Sequence, residues 1–270
     1  SEQFKKSLNI KTIASLGLSA TPERPYDNGL LEVLVPLLGE VIYEYNYKDA
    51  LKDKVIVPFE LRNIVFELDK ETENKYNKIT RLIAQYIQKY GIEDSKTITL
   101  YIKRSRILNM SINRVLLALK IVAKYKNNRI LIFHEDIKAC NAIDSVLKEN
   151  GIKSGTYHSK MKLKEKALIL KKYRSGEINI LVTCRSLDEG FNVPETEIGI
   201  IAASTATKRQ RIQRLGRTLR PTNTKNRAII YTLIATQPEL TRLQDEERNL
   251  EGVAKVIWTK AWKESLLENV

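Results

Sequence analysis

The feature that most constrains the fold is an alternation of short apolar runs with helical patterns, which begins at Ser111 and continues to residue 234. Helices of about a dozen residues separate strands that are apolar throughout, a pattern typical of a parallel sheet buried on both faces. Right-handed crossovers make such a sheet doubly wound, so we predict an α/β fold. The predicted strands are Ile130–Phe133, Ile152–Tyr157, Ile178–Thr183, Ile198–Ala202 and Ala228–Ile234.

The remaining segments are less regular. Residues Lys11–Leu18 form a short apolar run that predicts a buried strand, and Asp27 can cap a helix that Gly39 ends. Residues 95–110 fit a loop or a helix equally. Further predicted elements are strands in Val41–Tyr45 and Val55–Leu68, a polar helix over Glu71–Tyr90, and a helical tail over Glu239–Val270 with Trp258 and Trp262 in its core.

Composition excludes several classes of protein. With 43% hydrophobic residues the chain can bury a core, so global disorder is excluded. No apolar run reaches the roughly 18 residues of a membrane-spanning helix. Cys140 and Cys184 have neither metal nor redox spacing, so we expect reduced thiols packed beside core strands of a cytosolic protein. We expect no secretory signal, and a natural start upstream of Ser1.

Charge points to a polyanionic partner. The net charge is +14, and it is segregated. Residues 95–134 contain nine Lys/Arg and no Asp or Glu, and residues 198–238 contain eight Lys/Arg and no Asp or Glu. Residues 153–174 contain eight Lys/Arg and a single acidic residue, Glu165. Such segregation favours a positive surface for nucleic acid, although a patchy solvated surface is the alternative.

One stretch in the second basic window carries specific chemistry. Gln213–Arg220 reads Gln-x-x-Gly-Arg-x-x-Arg, and arginines three residues apart share a helix face. An arginine stays charged at neutral pH and offers a planar fork of donors to phosphate oxygens. The stretch is therefore either a pair of arginine fingers or a solvated basic helix face.

In a parallel α/β domain, ligands bind beyond the carboxyl ends of the strands. The residues predicted there are His134–Glu135, His158–Ser159, Thr183–Gly190 and Ser204–Thr205. Neither His134 nor His158 has partners at metal spacing, so each is interpreted as a polar strand-end residue and no metal site is predicted.

Four stretches of the chain resemble, in order and spacing, motifs III to VI of superfamily 2 helicases. They are Ser19-Ala20-Thr21, Ile130–Phe133 with Tyr157–Ser159, Thr183–Pro194 and Gln213–Arg220. Leu16–Arg24 is similar to the XPB-like and restriction-motor branch. The resemblance covers most of residues 10–236.

The resemblance implies two RecA-like lobes that close on ATP and move along nucleic acid. Residues 1–39 would be the end of the first lobe. Residues 40–236 would be the second lobe, with a helical insert at about 70–110, and residues 237–270 would be the helical tail.

The resemblance also implies roles for single residues. Gln213, Arg217 and Arg220 would face the nucleotide, with Arg220 nearest the γ-phosphate. Gly190 would let the backbone approach the nucleotide closely. Asp188 would contact the ribose or coordinate the closed state of the two lobes. The alternative for Asp188 is an ordinary turn residue before a glycine.

The nucleic-acid face would contain Thr183, Ser159 and Thr205, whose hydroxyls would touch phosphates without reading bases. Helix capping is an equal alternative for Ser159 and Thr205. Ser19, Ala20 and Thr21 would couple the two lobes, or form a turn at Pro22.

Such a motor also needs a phosphate-binding Gly-x-x-x-x-Gly-Lys loop and an acidic pair for Mg²⁺. None of the eleven glycines precedes a lysine. We therefore expect those parts upstream of Ser1, and no ATP hydrolysis by this chain alone.

We interpret the chain as the C-terminal part of an ATP- and Mg²⁺-dependent helicase or translocase. We expect DNA rather than RNA as its partner. We expect the protein in the cytoplasm, nucleoid or nucleus and not in a membrane, and leave open whether it joins a larger complex. The alternative is a helicase-like scaffold that binds nucleic acid or a partner without motor activity.

Overall fold

The computed structural model of the 270-residue chain describes residues 13–19, 28–184, 196–203 and 227–261. Seven strands in these ranges form one sheet in which every pairing is parallel. The sheet order is β3-β4-β2-β5-β6-β1-β7. The strands are β1 (Phe59–Phe66), β2 (Ile130–His134), β3 (Ser154–His158), β4 (Ile180–Cys184), β5 (Ile198–Ile201), β6 (Ala228–Ile234) and β7 (Ala254–Ala261).

Helices cover both faces of this sheet, which confirms the predicted doubly wound α/β class. The helices are α1 (Val35–Leu38), α2 (Tyr47–Lys52), α3 (Lys70–Tyr90), α4 (Ser95–Asn109), α5 (Ile112–Lys124), α6 (Ile137–Glu149), α7 (Leu163–Ser175) and α8 (Gln237–Glu247). A π-helical turn, Leu30–Leu34, precedes α1, and a 3₁₀ turn, Arg248–Leu250, follows α8.

The central strands are buried because apolar side chains leave them on both sides. Every residue of β2, β4, β5 and β6 is buried. Alternate strand residues enter two core clusters, one packed against α5 and α6 and the other against α7. Strands of this composition lose their driving force if either helical layer is removed.

The predicted insert is a pair of packed helices, α3 and α4. Asp69 caps α3 by accepting a hydrogen bond from the Thr72 amide at 2.9 Å. The helix ends at Gly91, whose φ of +87° favours glycine. Asp94 then caps α4 through the Lys96 amide at 2.9 Å. The sequence of residues 95–110 fits a loop or a helix equally, and the structure has a helix there, Ser95–Asn109.

The amino-terminal segments differ from the prediction. Residues 14–19 and 41–46 lie outside regular structure, although both were expected to contain strands. Leu18 and Ile42 are 88% and 87% exposed. A strand requires a neighbouring strand to pair with, and none of the seven described strands pairs with either segment. The predicted helix is present from Leu30 to Leu38 and ends at Gly39.

The prediction of a helical tail is correct for α8 and wrong for residues 254–261. These form β7, which pairs in parallel with β1. Trp258 therefore lies in a strand, where its indole nitrogen donates to the Glu247 carboxylate at 3.0 Å. The run contains Val, Ile, Trp and Thr, and β1 would otherwise expose an unpaired edge, so pairing outcompetes the helix. Trp262 lies outside the described residues. The domain boundaries at 39/40 and 236/237 stay predictions.

Candidate functional site

The candidate site is the edge of the sheet where the parallel strands end. His134, His158 and Cys184 are the last residues of β2, β3 and β4, and they lie side by side in register. Residues 185–195 follow β4 in the chain, and residues 204–226 follow β5 closely. The described ends of β2, β3, β4 and β5 therefore share one edge of the sheet, which is where the switch-point rule places ligands.

Thr183 lies one residue before the end of β4, between Phe133 of β2 and Tyr157 of β3. It is fully buried, and its hydroxyl oxygen has no hydrogen-bond partner within the described part of the chain. A buried hydroxyl without a partner costs about 1–3 kcal/mol. The location at the edge agrees with the prediction, whereas contact with a phosphate remains a prediction.

Ser159 is exposed in the turn between β3 and α7. Its backbone carbonyl accepts a hydrogen bond from Lys166 Nζ at 3.3 Å, and the Lys162 amide donates to Glu165 at 3.0 Å to close the first turn of α7. Glu165 rather than Ser159 makes that capping contact. The Ser159 hydroxyl is thus at the surface beside lysines, which suits an anion.

His158 adjoins this turn, and its Nδ1 is buried with no hydrogen-bond partner among the described residues. Burial lowers the pKa of His158, and the positive charges of Lys166 and Lys160 lower it further. The imidazole is therefore neutral at pH 7.

His134 is fully buried at the end of β2, and its Nδ1 accepts a hydrogen bond from the Asp136 amide at 3.0 Å. Burial, with a further contribution from the charge of Arg114, lowers the pKa of His134 to about 4. The ring is neutral and holds the turn that begins α6, which fits a strand-end role rather than acid–base catalysis. In the described ranges no group of three or more His, Cys, Asp or Glu is placed to hold a metal ion.

Ser19 lies in the described residues and is exposed. The other predicted site residues lie outside the described residues and keep the status of predictions. They are Ala20, Thr21, Asp188, Gly190, Thr205, Gln213, Arg217 and Arg220.

The two described basic windows belong to opposite layers. Lys96, Lys103 and Arg106 are exposed on α4, whose last turn packs through Leu108 into the core cluster of α5 and α6. The basic helix α7 packs on the other face of the sheet through Leu170 and Tyr173. Positive charge therefore reaches both sides of the molecule.

Sequence reasoning missed Arg114, a fully buried arginine in the first turn of α5. Its Nη2 donates to both carboxylate oxygens of Glu239 at 2.7 and 2.9 Å. The signal was present, because Arg114 shares the apolar stripe of α5 with Ala118, Ile121 and Val122 at helical spacing. A cation in such a stripe needs a buried partner.

Residues 111–222 match the family model described as "Helicase conserved C-terminal domain". The fold agrees, since a Sulfolobus solfataricus SWI2/SNF2 ATPase C-terminal domain superposes with a TM-score of 0.53 at 16% identity, covering 70% of this chain and 86% of that one. None of the helices in the described ranges combines the length and apolar character needed to cross a membrane.

Two sequence relatives narrow the class. The chain is 28% identical over 224 residues to "DNA 3'-5' translocase XPB2" of Sulfurisphaera tokodaii, covering 76% of this chain and 49% of that protein. It is 23% identical over 233 residues to "DNA 3'-5' helicase XPB" of Kineococcus radiotolerans, covering 86% and 37%. The chain thus spans about half or less of these relatives.

The fold and the family match define a RecA-like helicase C-terminal domain. Together with the two relatives, these matches support a superfamily 2 helicase C-terminal domain that is similar to XPB-like proteins.

Proposed function

We propose that this chain is the C-terminal part of an ATP-dependent DNA translocase or helicase. The single observation that carries the proposal is the Gln213–Arg220 sequence, which lies inside the matched helicase domain at residues 111–222. The names of the XPB-like relatives favour DNA over RNA.

Gln213, Arg217 and Arg220 would face an ATP molecule held by a first lobe that also supplies the phosphate loop and the Mg²⁺ ligands. Bound ATP and Mg²⁺ would supply the transferred phosphoryl group and its neutralising cation. The two arginines would stabilise charge that develops during the transfer. Asp188 and Gly190 would adjoin the nucleotide.

The nucleic-acid track would use Ser159, Thr183 and Thr205 with the lysines of α7. Ser159 is exposed beside Lys166, which supports a phosphate contact. Thr183 is buried, so its hydroxyl would contribute only if the neighbouring segments rearrange around bound nucleic acid.

The rest of the first lobe would also cover the amino-terminal segment. Leu18 and Ile42 are almost fully exposed although they belong to apolar runs. Ser19, Ala20 and Thr21, next to Leu18 in the chain, would then lie between the lobes and couple them.

The test uses the full-length protein, in which Arg220→Ala should lower DNA-stimulated ATP hydrolysis at least a hundredfold while DNA affinity changes less than threefold. Loss of one positive donor at the transferred phosphoryl group accounts for an effect of this size. Arg227→Ala is the matched control, because Arg227 is exposed and pairs only loosely with Glu60 at 3.5 Å. Turnover near normal in Arg220→Ala would reject the finger assignment.

Nucleic-acid binding is tested separately by titrating salt. The logarithm of the DNA affinity should fall linearly with the logarithm of salt concentration, because phosphate contacts release counterions. Steep salt dependence without any ATP hydrolysis by the full-length protein would favour the scaffold. This chain alone should not hydrolyse ATP.

A further inference from the structure

The buried side chain of Arg114 forms hydrogen bonds to several separate elements of the fold. Its Nε donates to the carbonyl of Leu108 at 3.1 Å, at the end of α4. Its Nη1 donates to the carbonyl of Ala202 at 2.9 Å and to that of Leu233 at 2.8 Å. With the two bonds to Glu239, the guanidinium uses its five-donor fork on four separate segments.

The carbonyls that Arg114 binds lie at the ends of strands. Ala202 directly follows β5, and Leu233 is the last but one residue of β6. The guanidinium also lies 5.3 Å from the ring centroid of Phe66, the last residue of β1. One side chain thus holds the carboxyl ends of three adjacent strands.

Glu239 extends this arrangement into the first turn of α8. Its Oε2 accepts hydrogen bonds from the amides of Ala235 and Thr236 at 2.9 and 3.2 Å. The carboxylate therefore neutralises Arg114 and caps the connection between β6 and α8 at the same time.

The ends of the helical insert are fixed at the same place. Ser111 donates to Asp69 at 3.2 Å, and the side-chain amide of Asn113 donates to the carbonyl of Glu67 at 2.8 Å. With the bond from Arg114 to Leu108, both the entry to α3 and the exit from α4 are held against the strand ends.

A buried ion pair is weak evidence for a purely stabilising role, because apolar residues of similar size often stabilise a core as well. An arginine fork differs from such residues in fixing several backbone groups in one geometry. We propose that Arg114 is a positioning residue, which sets the carboxyl ends of β5 and β6 and ties the α3–α4 hairpin to them.

The catalytic consequence rests on the proposed function. Ala202 and Ala203 are the last described residues before Thr205 and Gln213–Arg220 in the chain, and β6 follows that stretch. Arg114 holds the backbone just before this stretch and again near the end of β6, so it would act on hydrolysis through the predicted arginines without touching the nucleotide.

The first measurement is amide hydrogen exchange in the full-length protein without nucleotide, which does not depend on activity. In Arg114→Met, exchange at Ala235 and Thr236 should accelerate at least tenfold, while exchange at Leu131–Phe133 stays within twofold of wild type. Arg62→Met is the matched control, since Arg62 also pairs with a glutamate, Glu60 at 2.7 Å, on the same sheet. Unchanged exchange at Ala235 and Thr236, or equal acceleration throughout the sheet, would overturn the proposal.

Two conservative variants keep the test decisive if Arg114→Met does not fold. Arg114→Lys keeps the charge without the fork, and Glu239→Gln keeps the shape without the charge. Both should accelerate exchange at Ala235 and Thr236 by threefold or more. Full restoration of wild-type exchange by Arg114→Lys would show that charge alone suffices, and would overturn a role for the fork.

The second measurement is DNA-stimulated ATP hydrolysis by the same proteins. Arg114→Lys should lower kcat at least fivefold and change KM for ATP less than twofold, whereas Arg62→Met should change neither by more than twofold. If kcat falls equally in Arg114→Lys and Arg62→Met, in proportion to the decrease in Tm of each, the catalytic part of the proposal is overturned. If wild type hydrolyses no ATP, the proposed function fails, and amide exchange alone still decides the positioning role.

Discussion

Two apolar stretches of this chain have opposite structural fates. Ile130–Phe133 lies in the middle of the sheet, where each residue is at most 2% exposed. Val41–Tyr43 is also apolar and rich in β-forming residues, but its three side chains are 59–87% exposed. The difference shows that an apolar run predicts the need for a partner, whereas a strand requires that the partner be present.

Truncating one side chain in each stretch should give the largest contrast. Ile132→Ala should lower the free energy of unfolding by about 2–5 kcal/mol, because it leaves a cavity in a close-packed core. Ile42→Ala should change it by less than about 0.5 kcal/mol. Urea denaturation of this chain measures both. A large effect of Ile42→Ala would mean that the stretch is packed in solution.

His134, which is buried, and His158, which is partly buried, should contribute differently to the pH dependence of stability. The folded pKa of His134 is about 4, against 6.5 for an unperturbed histidine. Between pH 6.5 and about 4, the His134 imidazole is protonated in the unfolded chain and neutral in the folded chain. The free energy of unfolding therefore falls as the pH drops through this range. The loss by pH 5 should be about 2 kcal/mol. Urea midpoints at pH 7 and pH 5 measure it.

His134→Gln should remove most of this pH dependence. His158→Gln should remove less, because the imidazole of His158 is only partly buried. Equal slopes for His134→Gln and wild type would contradict the neutral, buried state of His134.

Helix caps in the two regions should give the smallest contrast. Asp136 caps α6 through the amides of Lys138 and Ala139 at 2.7 and 3.3 Å, next to the buried end of β2. Asp136→Ala should cost about 1 kcal/mol. Asn46 caps α2, which follows the exposed residues Val41–Tyr43, in the same way. Asn46→Ala should cost less, about 0.5 kcal/mol, since α2 has only six residues and can fray locally. Thermal unfolding followed by circular dichroism distinguishes them, and equal Tm shifts would contradict the contrast.

Much of the fold was predictable because the information is local. Each predicted strand from residue 130 to residue 234 is present within about two residues, since an apolar run bounded by helices has few alternatives in a parallel sheet. The helix at 95–109 was not decided by its sequence. Its conformation depends on packing against α3 and on contacts such as that of Thr97 with the Gly91 carbonyl at 3.0 Å.

The candidate site was predictable in position and less so in environment. Ser159 and Thr183 lie at the carboxyl edge as expected, but only the structure shows that one hydroxyl is exposed and the other is buried. The role of Arg114 could not be foreseen in full, because its partners Leu108, Ala202, Leu233 and Glu239 are spread over more than a hundred residues of sequence.

Local sequence information was enough to predict the α/β class, the five strands between residues 130 and 234, and the resemblance to superfamily 2 helicase motifs. Periodicity and motif chemistry are local properties, which a chain carries before it folds. Only the folded structure shows that residues 254–261 pair with β1, that Val41–Tyr43 is exposed, and that Arg114 is buried against three strand ends. Each of these outcomes depends on a neighbour brought from a distant part of the chain, and hydrogen bonding or burial assigns a role only when that neighbour arrives.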